Sequence, residues 1–296
     1  MGRIYRKLQK IGGSLVISLP KKWTENYKLN AGASIGIEVR NDGTLSIMPT
    51  MEPENEIVED ESILEASENV IWELLKKSFA GETKITIISE REINKILRRN
   101  ILKYVTRLPN TEVIEETNQK MIVQNFGYKE IPTKKLIQRL LYLVANMFED
   151  LEQKSFNDLD DSFEQLGKFY FILVIHIRTY LRTGIYNSST SEFTPLKAMD
   201  YRMFSEKIVE LAEILKDLRF IENVLDFYKE IQQYFNEVMN AFLKQDDTLA
   251  FLVWVKKDIL FNKAHILMRN LDFDDKEKVK NIMRIAHKIK SMAALI

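Results

Sequence analysis

The segment KIGGSLVISLPKKW (residues 10–23) predicts a β-strand that follows a tight turn and ends at a proline. Its glycine pair is typical of a turn, because glycine adopts positive φ angles at little cost. The run LVISL (15–19) has the length and the apolar content of a strand. Pro20 ends this strand and starts a short helical segment, where its missing N–H costs nothing. Two basic residues, Lys21 and Lys22, follow at once.

The rest of the first 50 residues also predicts β-structure. IGIEV (35–39) alternates apolar and polar positions, and TLSIM (44–48) follows Asp42-Gly43, a pair typical of a β-hairpin turn. Four short strands and one helical turn bury little surface in so short a segment, so we expect a second chain to complete the core. We assign residues 1–50 to a small β domain.

The charges of the chain are unevenly distributed, although its formal net charge is zero. Residues 1–50 carry eight basic and three acidic side chains, whereas residues 51–68 carry eight acidic side chains and no basic one. Such a boundary is typical of a basic module followed by a solvated acidic linker. A basic module favours a polyanion as partner, most simply nucleic acid.

Residues 51–131 are assigned to this acidic linker and to a small α/β segment. Helical periodicity alternates here with short β-branched runs. The predicted elements are a helix over 61–79, a strand KITIIS over 84–89, a helix over 90–108, and a hairpin made of TEVIEET (111–117) and QKMIVQNF (119–126).

Residues 132–296 predict an all-α domain, which makes the whole chain a multidomain α+β protein. Apolar residues recur every three or four positions, as Val279, Ile282 and Ala286 do near the end. The longest connection, TGIYNSSTSEFTP (183–195), separates three helices from three, so we expect a bundle of two three-helix halves. The predicted helices cover 133–155, 158–184, 196–217, 219–245, 247–270 and 274–296.

Composition and motifs exclude several classes of function. The chain has no cysteine, hence no disulfide, no thiolate nucleophile and no cysteine-based zinc site. It has no long uncharged apolar run, and MGRIYRKLQK at its start does not resemble a signal peptide, so we expect a cytoplasmic protein without a membrane span. No serine lies in a nucleophile motif and no carboxylate pair has differentiated surroundings, so we expect no enzymatic activity.

Residues 9–49 resemble the AbrB/MazE-type (SpoVT-AbrB) swapped-hairpin DNA-binding domain. The resemblance rests on Gly-x-Ser before an apolar strand, Leu-Pro-Lys at its end, a Leu29-x-x-Gly32 step, an Asp-Gly turn, and a last strand that ends at Pro49. Gly13 departs from the family, which often has asparagine there. The resemblance implies an obligate dimer with interleaved strands.

The helical region is similar to the PhoU domain that follows an AbrB-type domain in archaeal phosphate-uptake regulators. Two segments carry this resemblance, FYFILVIHIRTYL (169–181) and YRMFSEKIVELAEIL (201–215). It implies two tandem three-helix PhoU-like units, a role in phosphate uptake, and phosphate transport or phosphate-signalling proteins as partners.

We predict that the basic N-terminal residues bind operator DNA through its phosphates, with arginine as the reader of guanine edges. Two-fold symmetry would double each contact and make binding steeply salt-dependent. The alternative is that these residues only solubilise a dimerisation module. The predicted DNA contacts are Arg3, Arg6, Lys7, Lys10, Ser14, Lys21 and Lys22.

Glu206 and Glu210 are the candidate metal ligands. Their spacing of four places both carboxylates on one helix face, where they could share a divalent or iron-type cation. Lysines from a neighbouring helix, or water, could relieve their repulsion instead. Glu210 stands where the PhoU family has aspartate, and Gly167-Lys168 stands where it has an acidic pair. We therefore expect that no cofactor is required, with a cation at this domain as the alternative.

These inferences combine into one functional hypothesis, a dimeric transcriptional regulator of phosphate uptake. Its N-terminal module binds operator DNA, and its PhoU-like domain senses phosphate status through a ligand or a partner. The rival hypothesis is an adaptor in which the N-terminal module only dimerises. In that case the helical domain docks a phosphate transporter or a kinase without contact to DNA.

Overall fold

The computed structural model of the chain describes residues 5–39, 45–49, 61–127, 131–183, 193–219 and 221–296. It divides the chain into two compact units, Met1–Val58 and Glu59–Ile296. The predicted boundary at residue 50 lies outside the described residues. The second unit contains both the predicted α/β segment and the predicted helical region.

In its described residues, the first unit contains two separate antiparallel strand pairs and one short helix, α1. Strands β1 and β2 pair antiparallel, and so do β3 and β4, but no ladder joins the two hairpins in the described residues. Gly12 has a φ of +60° in the turn between β1 and β2, as expected for a two-residue hairpin. The predicted Asp42-Gly43 turn lies outside the described residues. The elements are β1 (Gln9–Ile11), β2 (Ser14–Val16), α1 (Lys21–Asn26), β3 (Ile35–Val39) and β4 (Leu45–Pro49).

The second unit begins with a four-stranded sheet of order β5-β6-β8-β7. Strand β5 is parallel to β6, which requires the crossover helix α2 between them, and the other pairs are antiparallel. Apolar side chains of the sheet pack with those of α2 and α3 in one core. The elements are β5 (Glu61–Glu65), α2 (Val70–Ala80), β6 (Lys84–Ile88), α3 (Lys95–Val105), β7 (Thr111–Glu116) and β8 (Lys120–Asn125).

The predictions for this segment are wrong at two helix starts. The helix predicted over 61–79 is in fact strand β5 followed by α2, because ESILE pairs along its whole length with β6. The helix predicted over 90–108 begins at Lys95, where the side chain of Asn94 accepts a 2.8 Å hydrogen bond from the N–H of Ile96. The predicted strand and hairpin are confirmed.

Six long helices follow in the residues that the structure describes, and they form a bundle, as predicted. Helices α4, α5 and α6 pack on one another, as do α7, α8 and α9, and the two halves join through the pairs α4–α7 and α6–α9. One continuous apolar core fills both halves. The helices are α4 (Thr133–Glu152), α5 (Phe156–Thr183), α6 (Pro195–Asp217), α7 (Leu225–Lys244), α8 (Asp247–Leu267) and α9 (Phe273–Ala293).

The α/β segment packs directly on the bundle. The rings of Phe79 in α2 and Phe171 in α5 lie 4.7 Å apart, and Leu75, Leu108 and Ile175 extend this contact. Helices α2 and α3 and the bundle therefore share buried apolar contacts within the second unit.

The helices of the described residues do not reach the combination of length and apolar character that a bilayer crossing requires.

Candidate functional site

The predicted DNA contacts whose positions are described lie on exposed parts of the first unit. Arg3 lies outside the described residues. Arg6 and Lys7 precede β1 in a segment without regular structure, and both are exposed. The remaining contacts are also exposed, on β1, on β2 and in the first turn of α1, and they are Lys10, Ser14, Lys21 and Lys22.

The first hairpin separates two of the predicted contacts. Its register pairs Lys10 with Leu15 and Ile11 with Ser14. Directly paired residues project from the same face of a ribbon, and neighbours along a strand project from opposite faces. Lys10 and Ser14 therefore lie on opposite faces of the hairpin, and a flat surface laid against one face meets only one of them.

The basic residues of this unit are available for an external anion. Residues 5–39 contain six basic and two acidic side chains. Lys21 forms a 3.7 Å ion pair with Glu25, and both side chains are so exposed that the pair contributes little stability. Within the part of the chain that the structure describes, the other predicted basic contacts have no acidic partner. The excess positive charge can therefore attract a polyanion.

Lys28 is a further basic residue of this surface that the predicted contact set leaves out. It is exposed just beyond α1 and has a φ of +50°. The local excess of basic over acidic residues was the signal that could have included it. Its position extends the basic surface past the end of α1.

The described residues of the first unit form no buried core. Among its residues whose exposure is described, none is buried, and Leu15 in the predicted strand is 68% exposed. Large apolar side chains that remain in water forgo the burial that offsets the entropy cost of folding. The described residues of the unit therefore present an exposed apolar surface. The exposed apolar residues include Tyr5, Leu8, Ile11, Leu15, Ile17, Tyr27, Ile37 and Leu45.

The candidate metal ligands on α6 are both paired with basic side chains. Glu206 lies 3.1 Å from Arg202, one helical turn earlier. Glu210 lies 3.0 Å from Lys207 and 2.5 Å from Lys288 of α9. Lysine from a neighbouring helix therefore neutralises Glu210, which is one of the alternatives that the sequence left open.

The lysines also determine the protonation of Glu210. Partial burial raises the pKa of this carboxyl group, but hydrogen bonds from Lys288 and Lys207 outweigh burial and leave the pKa below its ordinary value. Glu210 is therefore ionised at neutral pH and bound to two ammonium groups.

A cleft of about 280 Å³ lies beside these residues, between α6 and α9. The α6 wall of the cleft is acidic, whereas the α9 wall supplies amide and basic groups. Such a mixture of opposite charges does not concentrate oxygen ligands on one cation. The polar lining consists of Glu210, Glu213, Asp217, Asn281, Arg284 and Lys288.

Two acidic side chains of α5 are also paired with basic ones. Glu164 lies 3.1 Å from Lys168, and Asp160 lies 3.8 Å from Arg219. Among the residues with described positions, no three histidine, aspartate or glutamate side chains are arranged to hold a metal ion. Glu206 and Glu210 would have to leave their basic partners to share a cation, so the cation at this domain stays a prediction.

Comparisons of the chain with known protein families, with curated proteins and with solved structures find no match. The two family resemblances of the sequence therefore stay predictions.

Proposed function

We propose that the chain is a DNA-binding transcriptional regulator of phosphate uptake that acts as a homodimer in the cytoplasm. The observation that carries this proposal is the first unit, which in its described residues combines an exposed apolar surface with an excess of basic side chains, of which Arg6, Lys7, Lys10 and Lys22 have no acidic partner there. The apolar surface calls for a second protein chain, and the basic side chains call for a polyanion.

A second copy of the chain is the partner that satisfies the apolar surface. The two hairpins of one chain present exposed strands, and interleaved strands from a second copy would pair with them and cover Leu15 and Ile37. Each basic residue would then occur twice in a two-fold arrangement. Such an arrangement matches the local symmetry of duplex DNA and makes binding steeply dependent on salt.

The second unit supports a sensing role. Its six helices form two three-helix halves, the arrangement that the resemblance to PhoU domains implies. The proposed role in the control of phosphate uptake rests on that resemblance. The contact between Phe79 and Phe171 provides a packed route by which a change in the bundle would reach the α/β segment.

Electrophoretic mobility shift of genomic DNA fragments at two salt concentrations tests the proposal. We expect the full-length protein to shift a subset of fragments at low salt and fewer at high salt. The double substitution Arg6→Ala with Lys7→Ala should weaken binding. Lys244→Ala, which removes an exposed lysine at the end of α7, serves as the matched control and should leave the shift unchanged.

The same experiment separates the regulator from the adaptor. A protein that shifts no fragment at low salt, or whose affinity is unaffected by loss of Arg6 and Lys7, does not bind DNA through this surface. In that case a dimer that remains intact by sedimentation would favour an adaptor that docks a phosphate transporter or a kinase.

A further inference from the structure

Helix α3 and the turn that follows it carry a concentration of positive charge outside the first unit. Residues 93–111 contain five basic side chains and no acidic one. One of the five, Arg98, is bonded inside the fold, because its guanidinium donates hydrogen bonds to Glu116 at 2.8 Å and to the carbonyl oxygen of Thr117 at 2.9 Å. We name the other four the α3 ridge, and they are Lys95, Arg99, Lys103 and Arg107.

The α3 ridge lies on the solvent side of the helix. Its members are spaced by four residues, and all four side chains are exposed. The opposite side of α3 carries Ile101 and Val105, which are buried in the core that α3 shares with the sheet. Among the residues with described positions, none forms an ion pair with a member of the ridge. The ridge is therefore a row of cations that the fold itself does not neutralise.

A row of like charges on one helix face is unfavourable unless an anion lies against it. Basic side chains four residues apart repel each other, and this repulsion lowers the stability of the helix. The acidic side chains of β7 nearby do not relieve it, because Glu116 is paired with Arg98 and Glu115 with Lys120. A polyanion laid along the ridge would remove the repulsion, so the ridge has the charge pattern of a polyanion-binding surface.

We propose that the α3 ridge binds the phosphate backbone of duplex DNA, as a second contact in addition to that of the first unit. One helical turn separates consecutive ridge residues, so the charges on α3 recur about every 6 Å along its axis. Each strand of duplex DNA carries a phosphate about every 3.4 Å of its axis. A helix laid along one strand therefore meets phosphates at each turn. Contacts of this kind strengthen binding without reading the base sequence.

The apolar side of α3 distinguishes DNA from a membrane surface as the partner. A helix that binds at a bilayer interface buries an apolar face among the lipids. The apolar face of α3 is already buried within the protein, and the large apolar side chains that α3 exposes are Ile96 and Leu102. An acidic protein would also match the charge of the ridge. The inference rests on the proposed function in preferring DNA, because DNA held by the first unit is present at a high effective concentration.

Salt titration of DNA binding by the full-length protein tests the ridge, with a labelled duplex taken from a genomic fragment that the natural chain shifts. Arg99→Ala with Lys103→Ala should weaken binding at low salt by about ten-fold. The plot of log affinity against log salt concentration should become shallower by about 1.8 for each chain, because each lost phosphate contact contributes about 0.9. The matched control is Arg269→Ala with Lys244→Ala, which removes the same two residue types from exposed positions elsewhere and should bind like the natural chain.

Exchange of the two basic residue types separates charge from side-chain shape. The double substitution Arg99→Lys with Lys103→Arg keeps both charges, so it should keep the salt dependence and hold the affinity within about two-fold of that of the natural chain. A loss of affinity as large as that of the alanine variant would overturn a contact made through charge.

Directed cleavage of bound DNA tests whether the ridge lies against it, because the natural chain contains no cysteine. Ile96→Cys places a single thiol at an exposed position beside the ridge, and an iron chelate attached there should cut the labelled duplex. The control is the same chelate on Phe273→Cys, an exposed position at the start of α9. We expect at least five-fold less cutting from the control. Equal cutting by both conjugates would overturn the proposal.

The same binding measurements distinguish failure of this inference from failure of the proposed function. If Arg6→Ala with Lys7→Ala weakens binding and the alanine variant of the ridge does not, the proposed regulator stands and the ridge contact is overturned, which leaves the ridge to an acidic protein partner. If only the ridge variant weakens binding, the ridge contact stands and the first unit is not the DNA-binding surface. A natural chain that shifts no fragment at low salt refutes both.

Discussion

The phenol hydroxyl of Tyr228 donates a 2.8 Å hydrogen bond to the backbone carbonyl oxygen of Phe148, and the two rings lie 5.5 Å apart. Tyr228 belongs to α7 and Phe148 to α4, so the bond joins the two halves of the bundle. Both side chains are fully buried. The junction of the halves is therefore fixed by a directional polar contact as well as by apolar packing.

Tyr228→Phe should lower the free energy of unfolding by about 1 kcal/mol, because it removes this buried hydrogen bond and keeps the ring. Urea unfolding followed by circular dichroism measures the change. Tyr142→Phe is the matched control, since Tyr142 is half exposed and should be neutral. An unchanged unfolding midpoint in Tyr228→Phe would show that the bond contributes nothing to the junction.

Alkaline pH should destabilise the bundle through its buried tyrosines. Burial raises the pKa of Tyr228 and of Tyr234 far above the ordinary value of 10.0, so neither phenol ionises in the folded chain. Above about pH 10 the unfolded chain binds fewer protons than the folded chain, so the free energy of unfolding falls as pH rises. Tyr228→Phe should show a shallower fall between pH 9 and 11 (about the ordinary tyrosine range), and an identical slope would contradict this account.

Glu210→Gln removes ion pairs that join α6 and α9 and should lower the free energy of unfolding at neutral pH. The expected change is small, roughly 0.5 kcal/mol, because the ion pairs are partly exposed. The folded-state pKa of Glu210 lies below its ordinary value of 4.5. Its contribution is therefore present above about pH 4.5 and is lost as pH falls through the folded-state pKa. The urea midpoints of the natural chain and the variant should differ more at pH 7 than at pH 3, whereas the exposed neighbour change Glu213→Gln should have no effect at either pH.

Gly12→Val should weaken the proposed dimer of the first unit, because a β-branched residue is strained at a φ of +60°. A cost of about 1–2 kcal/mol corresponds to roughly a five- to thirty-fold higher dissociation constant in sedimentation. Gly13→Asn is the matched change at the neighbouring position, where the φ is not positive and a Cβ atom meets nothing within 4 Å. If both variants dissociate alike, the backbone conformation of Gly12 does not limit the dimer.

Glu206→Gln should leave the metal content of the purified protein unchanged, because Glu206 and Glu210 are held by Arg202 and by two lysines. Elemental analysis of the natural chain and the variant, prepared in parallel, measures the metal content of each. Loss of a stoichiometric metal in the variant would establish the shared cation that their spacing allows.

The six bundle helices could be predicted from the sequence because each one has a long apolar periodicity. Residues 61–65 show where that signal misleads. Ile63 and Leu64 continue the period of Val70 and Leu74, but the strand they form is stabilised by pairing with β6, which periodicity does not record. The residues before α2 include Ser67 and Asn69, which are types preferred at helix N-termini. They were the local sign in the sequence that the helix begins later than residue 61.

The surroundings of the candidate sites could be predicted only in part. The basic character of the first unit follows from its composition, but the opposite orientation of Lys10 and Ser14 depends on the hairpin register. The partner of Glu210 comes from α9, far along the chain, and no local pattern identifies Lys288 among the many lysines of the sequence. Contacts of this kind are set by tertiary packing.

The junction between the halves also bears on the order in which the bundle folds. Contacts within a half, such as α4 with α5 and α8 with α9, join neighbouring helices, whereas α6 with α9 joins distant segments and must close a long loop. Each half should therefore assemble before the junction does. Interactions that form late govern the rate of unfolding more than the rate of folding, so the Glu210–Lys288 pair should mainly prolong the lifetime of the folded bundle.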